Sequence, residues 1–202
     1  MSARPTGDTA LQPVLPLNLP NVLTVVRILL VPVLVVALLG ETKDGDLLAA
    51  IVFAAASATD AIDGYLARSR NSITTFGKLM DPIADKLLVV AALFALVSLD
   101  RLPAWIAMVI VTRELAVTVT RMAATAQGVV IPAAGWGKAK TIVQVAAIFF
   151  LIAYDPTPPW VDALVYVAVA VTVISGVDYF FGLRRMLREA EERRRRAAAE
   201  GA

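Results

Sequence analysis

The stretch TDAIDGYLARSRNSITTFGKLMDPIADK, Thr59–Lys86, places four aspartates, Asp60, Asp63, Asp81 and Asp85, in or beside strongly apolar segments. An ionised carboxylate is costly to bury without a partner, so four in one short region need a common reason. On a helix, Asp60, Asp63, Gly64 and Ala67 fall at i, i+3, i+4 and i+7, which is one face. Gly64 leaves that face open to a ligand approaching the backbone, and Arg68 follows one step further along. Gly77, Asp81 and Asp85 repeat at four-residue spacing around the start of the next apolar run. A connecting loop of about a dozen residues lets the second helix return antiparallel, which brings all four carboxylates to one end.

The surroundings of this stretch set the fold class. Of 202 residues, 58% are hydrophobic, and the mean hydropathy is +0.73. Soluble domains hold roughly 45–50% apolar residues. Apolar runs of about 20 residues, each long enough to cross a bilayer as a helix, recur along the chain. Six candidate spans are read: Asn21–Leu39, Leu47–Arg68, Pro82–Leu99, Pro103–Ala124, Ala139–Tyr154 and Trp160–Phe181. The expectation is an all-α integral membrane protein with six transmembrane helices and no internal repeat. Residues 1–19 form a cytoplasmic or interfacial N-terminal segment, 20–182 a six-helix membrane catalytic domain, and 183–202 a charged cytoplasmic tail, helical or disordered. The first 19 residues are polar and proline-containing, so no cleaved signal peptide is expected.

Charge gives the orientation. The links GETKDGD, DRLP and DPTPP share one side if the spans alternate. Of the 19 Lys and Arg, only Lys43 and Arg101 fall on that side, leaving 17 in the other half. The positive-inside tendency puts the 17, both termini and the aspartates at the cytoplasmic face of a bacterial-type inner (plasma) membrane. The arginine-rich tail is a topology anchor that attracts anionic membrane lipid. No nucleic-acid partner is expected.

The chain has no cysteine and no histidine. Disulfides and thiolate ligands are excluded, and a general base must be a carboxylate, Lys, Tyr or water. Any metal must be held by oxygen. Four converging carboxylates repel one another, and Arg68, Lys78 and Lys86 offset part of this. Hard divalent cations do so better, because they take carboxylate oxygens and hold substrate phosphates. Two metals sharing carboxylates stabilise the attacking and leaving oxygens of a displacement at phosphorus. Other readings stand beside this one. Asp81 before Pro82 has the pattern of a helix N-cap. Asp60 and Asp63 fit interfacial surface positions, and intramembrane carboxylates also mark the path of a cation transporter.

The spacing D-x2-D-G-x2-A-R-x8-G-x3-D-x3-D, from Asp60 to Asp85, resembles the signature of the CDP-alcohol phosphatidyltransferase family, without departure. The hydrophobic layout is similar to that family's six-helix domain over nearly the whole chain. The resemblance implies transfer of a phosphatidyl or related group from a CDP-linked donor to an alcohol, with two divalent cations, Mg²⁺ or Mn²⁺, as cofactors. It makes Asp60, Asp63, Asp81 and Asp85 metal ligands, with Asp85 also the general base. It brings Asp63, Gly64, Arg68 and Thr74 to the CDP donor. The opening NLPNVLTVVR is also similar to family members, and adds Asn21 and Thr24 at the donor site. Both residues equally fit roles in capping and starting the first helix. A homodimer is implied as well.

The acceptor is the finer question. Arg113 and Arg121, eight residues apart in the fourth span, share a helix face, and Lys138 and Lys140 begin the fifth from the same side. Together they suit a phosphorylated acceptor; a structural Arg113–Glu114 pairing is the competing reading. TRELAVTVTRMAA and GKAKTIVQ resemble the corresponding segments of the phosphatidylglycerophosphate synthase branch. This implies CDP-diacylglycerol as donor, sn-glycerol 3-phosphate as acceptor, and phosphatidylglycerol phosphate and CMP as products. Cardiolipin synthase and phosphatidylinositol phosphate synthase of the same family are the alternatives.

Overall fold

The computed structural model describes residues 19–200 apart from 41–43, 71–74 and 127–134; within its helices, the side chains at 19–21, 60–70, 75–85, 125–126, 135–138, 187 and 189–200 are left undescribed. The described residues form six helices and no strand: α1 Leu19–Leu39, α2 Gly45–Arg70, α3 Thr75–Ser98, α4 Ala104–Ala126, α5 Gly135–Ala153 and α6 Pro159–Glu200. Each expected span lies on one helix. Three ends differ. Helix α3 begins at Thr75 rather than at Pro82, α5 begins at Gly135, and α6 runs on without a break through the charged tail.

Helix α1 packs on α2 and α3, α5 packs on α6 and α2, and α4 packs on α6 and α3. Small residues let these helices approach closely. Ala49, Ala50, Ala56, Ala92, Ala95, Ala107 and Ala147 are all buried between Leu34, Phe53, Leu93, Leu96, Ile106 and Ile148. Interfaces of small residues are the usual means of packing helices where no hydrophobic gradient drives them together.

The bundle is apolar outside as well as inside. Large apolar side chains face outward, including Val36, Phe94, Met108, Val119, Ile142 and Phe181, while Arg27, Glu114, Lys140 and Gln144 are buried. Among the described residues, two helices, α1 and α6, contain stretches long and apolar enough to cross a membrane, Val22–Leu39 and Pro159–Met186. Helices α2, α3 and α4 carry the motif aspartates, Glu114 and the span-four arginines, which interrupt their apolar runs.

One end of the bundle is closed by a defined turn. Asp100 takes a positive φ of 57°, and Arg101 N donates to Leu96 O while Asp100 N donates to Val97 O. This is a Schellman termination of α3. It delivers Arg101 to Asp46 at the start of α2, with Nη1 and Nη2 each 2.9 Å from one carboxylate oxygen. Nη2 also lies 2.7 Å from Asp155 in the α5–α6 link. At this same end, Trp160 packs edge-on against Phe150 and Tyr154, and Trp105 lies by Tyr166. Trp and Tyr concentrate where a bilayer's apolar core meets water.

Candidate active site

The aspartate motif straddles the turn between α2 and α3. Asp60, Asp63, Gly64 and Arg68 lie in the last part of α2, and Gly77, Asp81 and Asp85 in the first part of α3. Only residues 71–74 separate the two helices, so the dozen-residue loop expected from the sequence is corrected to a short link. The N-cap reading of Asp81 is also corrected, because α3 starts at Thr75 and both Asp81 and Pro82 are internal to it. The segment TFGKLM, Thr75–Met80, forms the first turns of α3 ahead of Asp81 and Pro82.

The side chains of Asp60, Asp63, Arg68, Asp81 and Asp85 lie outside the described residues, as do those of Asn21 and Lys138 and the whole of Thr74. What is described is their register: two carboxylates at i, i+3 and two at i, i+4 on consecutive helices. Among the described residues no group of three or more His, Cys, Asp or Glu forms a metal site. The metal expectation therefore rests on these four aspartates. Their donor chemistry fits hard divalent cations: the groups on offer are carboxylate oxygens, in a chain without His or Cys.

Helix α1 packs on α2 and α3, the two helices that carry the motif. Because α1 begins at Leu19, Asn21 and Thr24 lie inside it and neither caps it. Thr24 and Arg27, one turn apart, are both only 2% exposed. Arg27 Nε donates to Ala56 O at 3.4 Å, and Thr59 Oγ1 donates to the same carbonyl at 2.7 Å. Ala56 lies one helical turn before Asp60, so α1 is fastened to α2 where the motif begins. Beside this contact is a cavity of about 560 Å³, whose polar lining residues are Arg27, Ser57 and Thr141 and whose apolar lining includes Leu88, Val145, Phe149 and Phe150. The mainly apolar lining suits an apolar chain. Sequence reasoning missed Arg27, although a cation inside an apolar span is itself a signal of function.

The span-four cations lie further along the bundle. Glu114 of α4, 3% exposed, accepts from Lys140 Nζ of α5 and from Arg113 Nη1 at 3.3 Å. Its other oxygen lies 2.9 Å from Lys86 Nζ of α3. Arg113 Nη2 donates to Ser175 Oγ of α6 at 2.8 Å, while its buried Nε has no partner among the described residues. Gly176 makes room for this arginine: a Cβ there would stand 3.2 Å from Arg113 Cγ. Arg121, two turns along α4, lies over the Tyr179 ring at 5.9 Å. Arg113 and Arg121 thus share a face, as their spacing predicts, and that face leans on Ser175 and Tyr179 of α6. The structure brings Arg113 and Lys140 together through Glu114. The pairing of Arg113 with Glu114 is present alongside the cation cluster. Gln144, one turn after Lys140, is buried with its Oε1 unpartnered among the described residues.

A helical bundle with this aspartate register and an inward-facing cation cluster has the parts of a membrane-associated phosphotransfer enzyme. The family model for CDP-alcohol phosphatidyltransferase matches residues 17–174, and the chain belongs to that enzyme family. It is 43% identical over 180 residues to the CDP-diacylglycerol–glycerol-3-phosphate 3-phosphatidyltransferase of Bacillus subtilis, covering 81% of this chain and 93% of that one. It is 46% identical over 167 residues to a protein of Mycobacterium tuberculosis named as a probable phosphatidylglycerophosphate synthase, covering 80% and 79%. A Rickettsia felis CDP-diacylglycerol–glycerol-3-phosphate 3-phosphatidyltransferase is 34% identical over 169 residues, covering 81% and 93%.

Proposed function

We propose that this enzyme transfers the phosphatidyl group of CDP-diacylglycerol to sn-glycerol 3-phosphate, giving phosphatidylglycerol phosphate and CMP. The observation that carries the reading is the unbroken motif from Asp60 to Asp85, set on consecutive helix ends in a chain of this family. The names of the relatives support the acceptor.

Asp60, Asp63, Asp81 and Asp85 would hold two divalent cations, Mg²⁺ or Mn²⁺. Cations held there would supply positive charge to the diphosphate and to the leaving CMP. The chain's own groups do the rest. Asp85 accepts the proton of the attacking hydroxyl, since the chain has no histidine to do so. Arg68 stabilises the departing phosphate oxygens. Gly64, Thr74, Asn21 and Thr24 bind the CDP moiety, and the cavity beside Arg27 takes an acyl chain of the donor. Arg113, Arg121, Lys138 and Lys140 receive the acceptor's phosphate.

All six helices span the membrane in this reading, with residues 20–182 as the catalytic domain. The N-terminal segment, the tail and the active site lie on the cytoplasmic side of the bacterial inner membrane, and the active form is a homodimer. The outward apolar faces, the aromatic cluster at one end and the Lys and Arg bias to the other support the placement.

The test is CMP release by the purified protein with CDP-diacylglycerol and a panel of acceptors. sn-Glycerol 3-phosphate is expected to be used, and glycerol, which lacks the phosphate, to be far poorer. Arg113→Ala is expected to weaken use of glycerol 3-phosphate by about tenfold or more, as loss of a charge-assisted hydrogen bond costs about 1.5–3 kcal/mol. Turnover of phosphatidylglycerol or inositol phosphate in place of glycerol 3-phosphate would reassign the acceptor.

A further inference from the structure

Glu114 sits where three helices meet, and its two oxygens are divided between them. Oε1 takes Lys140 of α5 together with Arg113 of its own helix. Oε2 takes Lys86 of α3. Lys86 directly follows Asp85, the proposed base, and Lys140 is a proposed ligand of the acceptor phosphate. One buried carboxylate therefore links the helix that carries the base to the helix that carries an acceptor lysine.

A neutral isostere cannot do this. A glutamine amide offers one acceptor oxygen and turns its NH2 group towards the other ammonium, donor to donor. Two lysines drawn to one carboxylate also repel each other once it is gone, and each regains the rotamer freedom that the contact removed.

We propose that Glu114 is a positioning residue for the acceptor. It holds Lys140 in place and fixes its distance from the α3 segment that begins at Lys86 and adjoins Asp85, so that acceptor phosphate and attacking hydroxyl are set at once. This rests on the acceptor assignment above. A residue that served only to hold the bundle together would change thermal stability and leave the two substrates' KM values alike.

The experiment is steady-state CMP release by the full chain in detergent micelles, with glycerol 3-phosphate and CDP-diacylglycerol titrated separately. Glu114→Gln is expected to raise the acceptor KM by about tenfold, as for a lost charge-assisted contact, with donor KM changed by less than about twofold. Glu114→Asp keeps the charge on a shorter stem and is expected to recover part of the loss. Lys140→Met is expected to raise the acceptor KM in the parent enzyme and to add little in the Glu114→Gln background, because the two act as one unit.

An unchanged acceptor KM in a folded Glu114→Gln protein, or additive effects with Lys140→Met, overturns the proposal. If Glu114→Gln does not fold, Glu114→Gln/Lys86→Met, which removes one charge of each sign, is read in its place. Failure of both to fold assigns Glu114 to stability alone and also overturns it. If the parent enzyme refuses glycerol 3-phosphate but uses another acceptor, the acceptor assignment fails. The same titrations with that acceptor then decide the role of Glu114.

Discussion

Arg101 and Asp46 face each other through two parallel contacts of 2.9 Å, across 55 residues of sequence. The arginine side chain is 13% exposed and the aspartate 36%. Burial alone would lower the guanidinium's proton affinity, but the hydrogen bond and charge of Asp46, with help from Asp155, outweigh it and raise the pKa above the ordinary arginine value. A raised cation pKa adds stability below the unfolded-state value and loses it only as pH climbs through the folded one. That window lies above the guanidinium range, so the clamp's arginine side is constant at neutral pH. Arg101→Met is expected to destabilise the bundle by about 1–2 kcal/mol, between a partly screened surface pair and a charged hydrogen bond. Thermal unfolding in micelles should show a Tm deficit that is level from roughly pH 7 to 9, where the carboxylates also stay ionised. A Tm equal to the parent's would remove the clamp from the stability account.

The metal reading gives a paired expectation. EDTA should abolish CMP release, and Mg²⁺ or Mn²⁺ should restore it. Asp85→Asn should abolish turnover while donor binding, measured with metal present, is largely kept, because an amide cannot accept the hydroxyl proton yet can still offer an oxygen to a cation. Full activity in a rigorously metal-free preparation would sink the mechanism. Near-normal turnover by Asp85→Asn would move the base elsewhere, and collapse of metal binding would make Asp85 a ligand first.

Gly176 sets how closely Arg113 lies against α6, since an added Cβ would stand 3.2 Å from Arg113 Cγ. Alanine asks the arginine stem to yield by a few tenths of an ångström. Valine adds two further methyl groups in the same place, and overpacking of this kind costs about 1–3 kcal/mol. Gly176→Val is expected to raise the acceptor KM several-fold with donor KM little altered, and Gly176→Ala to have a much smaller effect. Equal changes in both KM values would mean that α6 shifts as a whole and that Arg113 is not singled out.

The helices were legible because the apolar runs are long and the breaks between them short. The motif was legible because its residues repeat at helical spacing within one stretch, so local periodicity places Asp60 beside Asp63 and Asp81 beside Asp85 without knowledge of the fold. The start of α3 was misread for a physical reason. Asp81 and Pro82 mimic the first positions of a helix, while a proline inside an apolar helix is tolerated where neighbouring helices take up the freed carbonyl. The joining of Lys86 to Glu114 was not legible, because the two residues lie on helices whose relative register no local pattern records. Arg121's placement over Tyr179 depends in the same way on how α4 meets α6. The helical course of the tail was open in the sequence, where Glu189, Glu191 and Glu192 each precede an arginine by four residues, a spacing that favours a helix.

That tail gives α6 the proportions of a mast. At 1.5 Å per residue its 42 residues extend about 63 Å. The apolar part, Pro159–Met186, is 28 residues long and takes up about 42 Å, close to the roughly 40–45 Å from one headgroup layer to the other. If the helix crosses a bilayer upright and straight, its backbone at positions 193–196 would lie roughly 10–15 Å beyond the headgroup layer. Physiological salt screens a charge over about 8 Å. In that geometry the bilayer's surface potential would act most strongly on the turns that carry Arg184, Arg185 and Arg188, and would fade along the last turns of the helix.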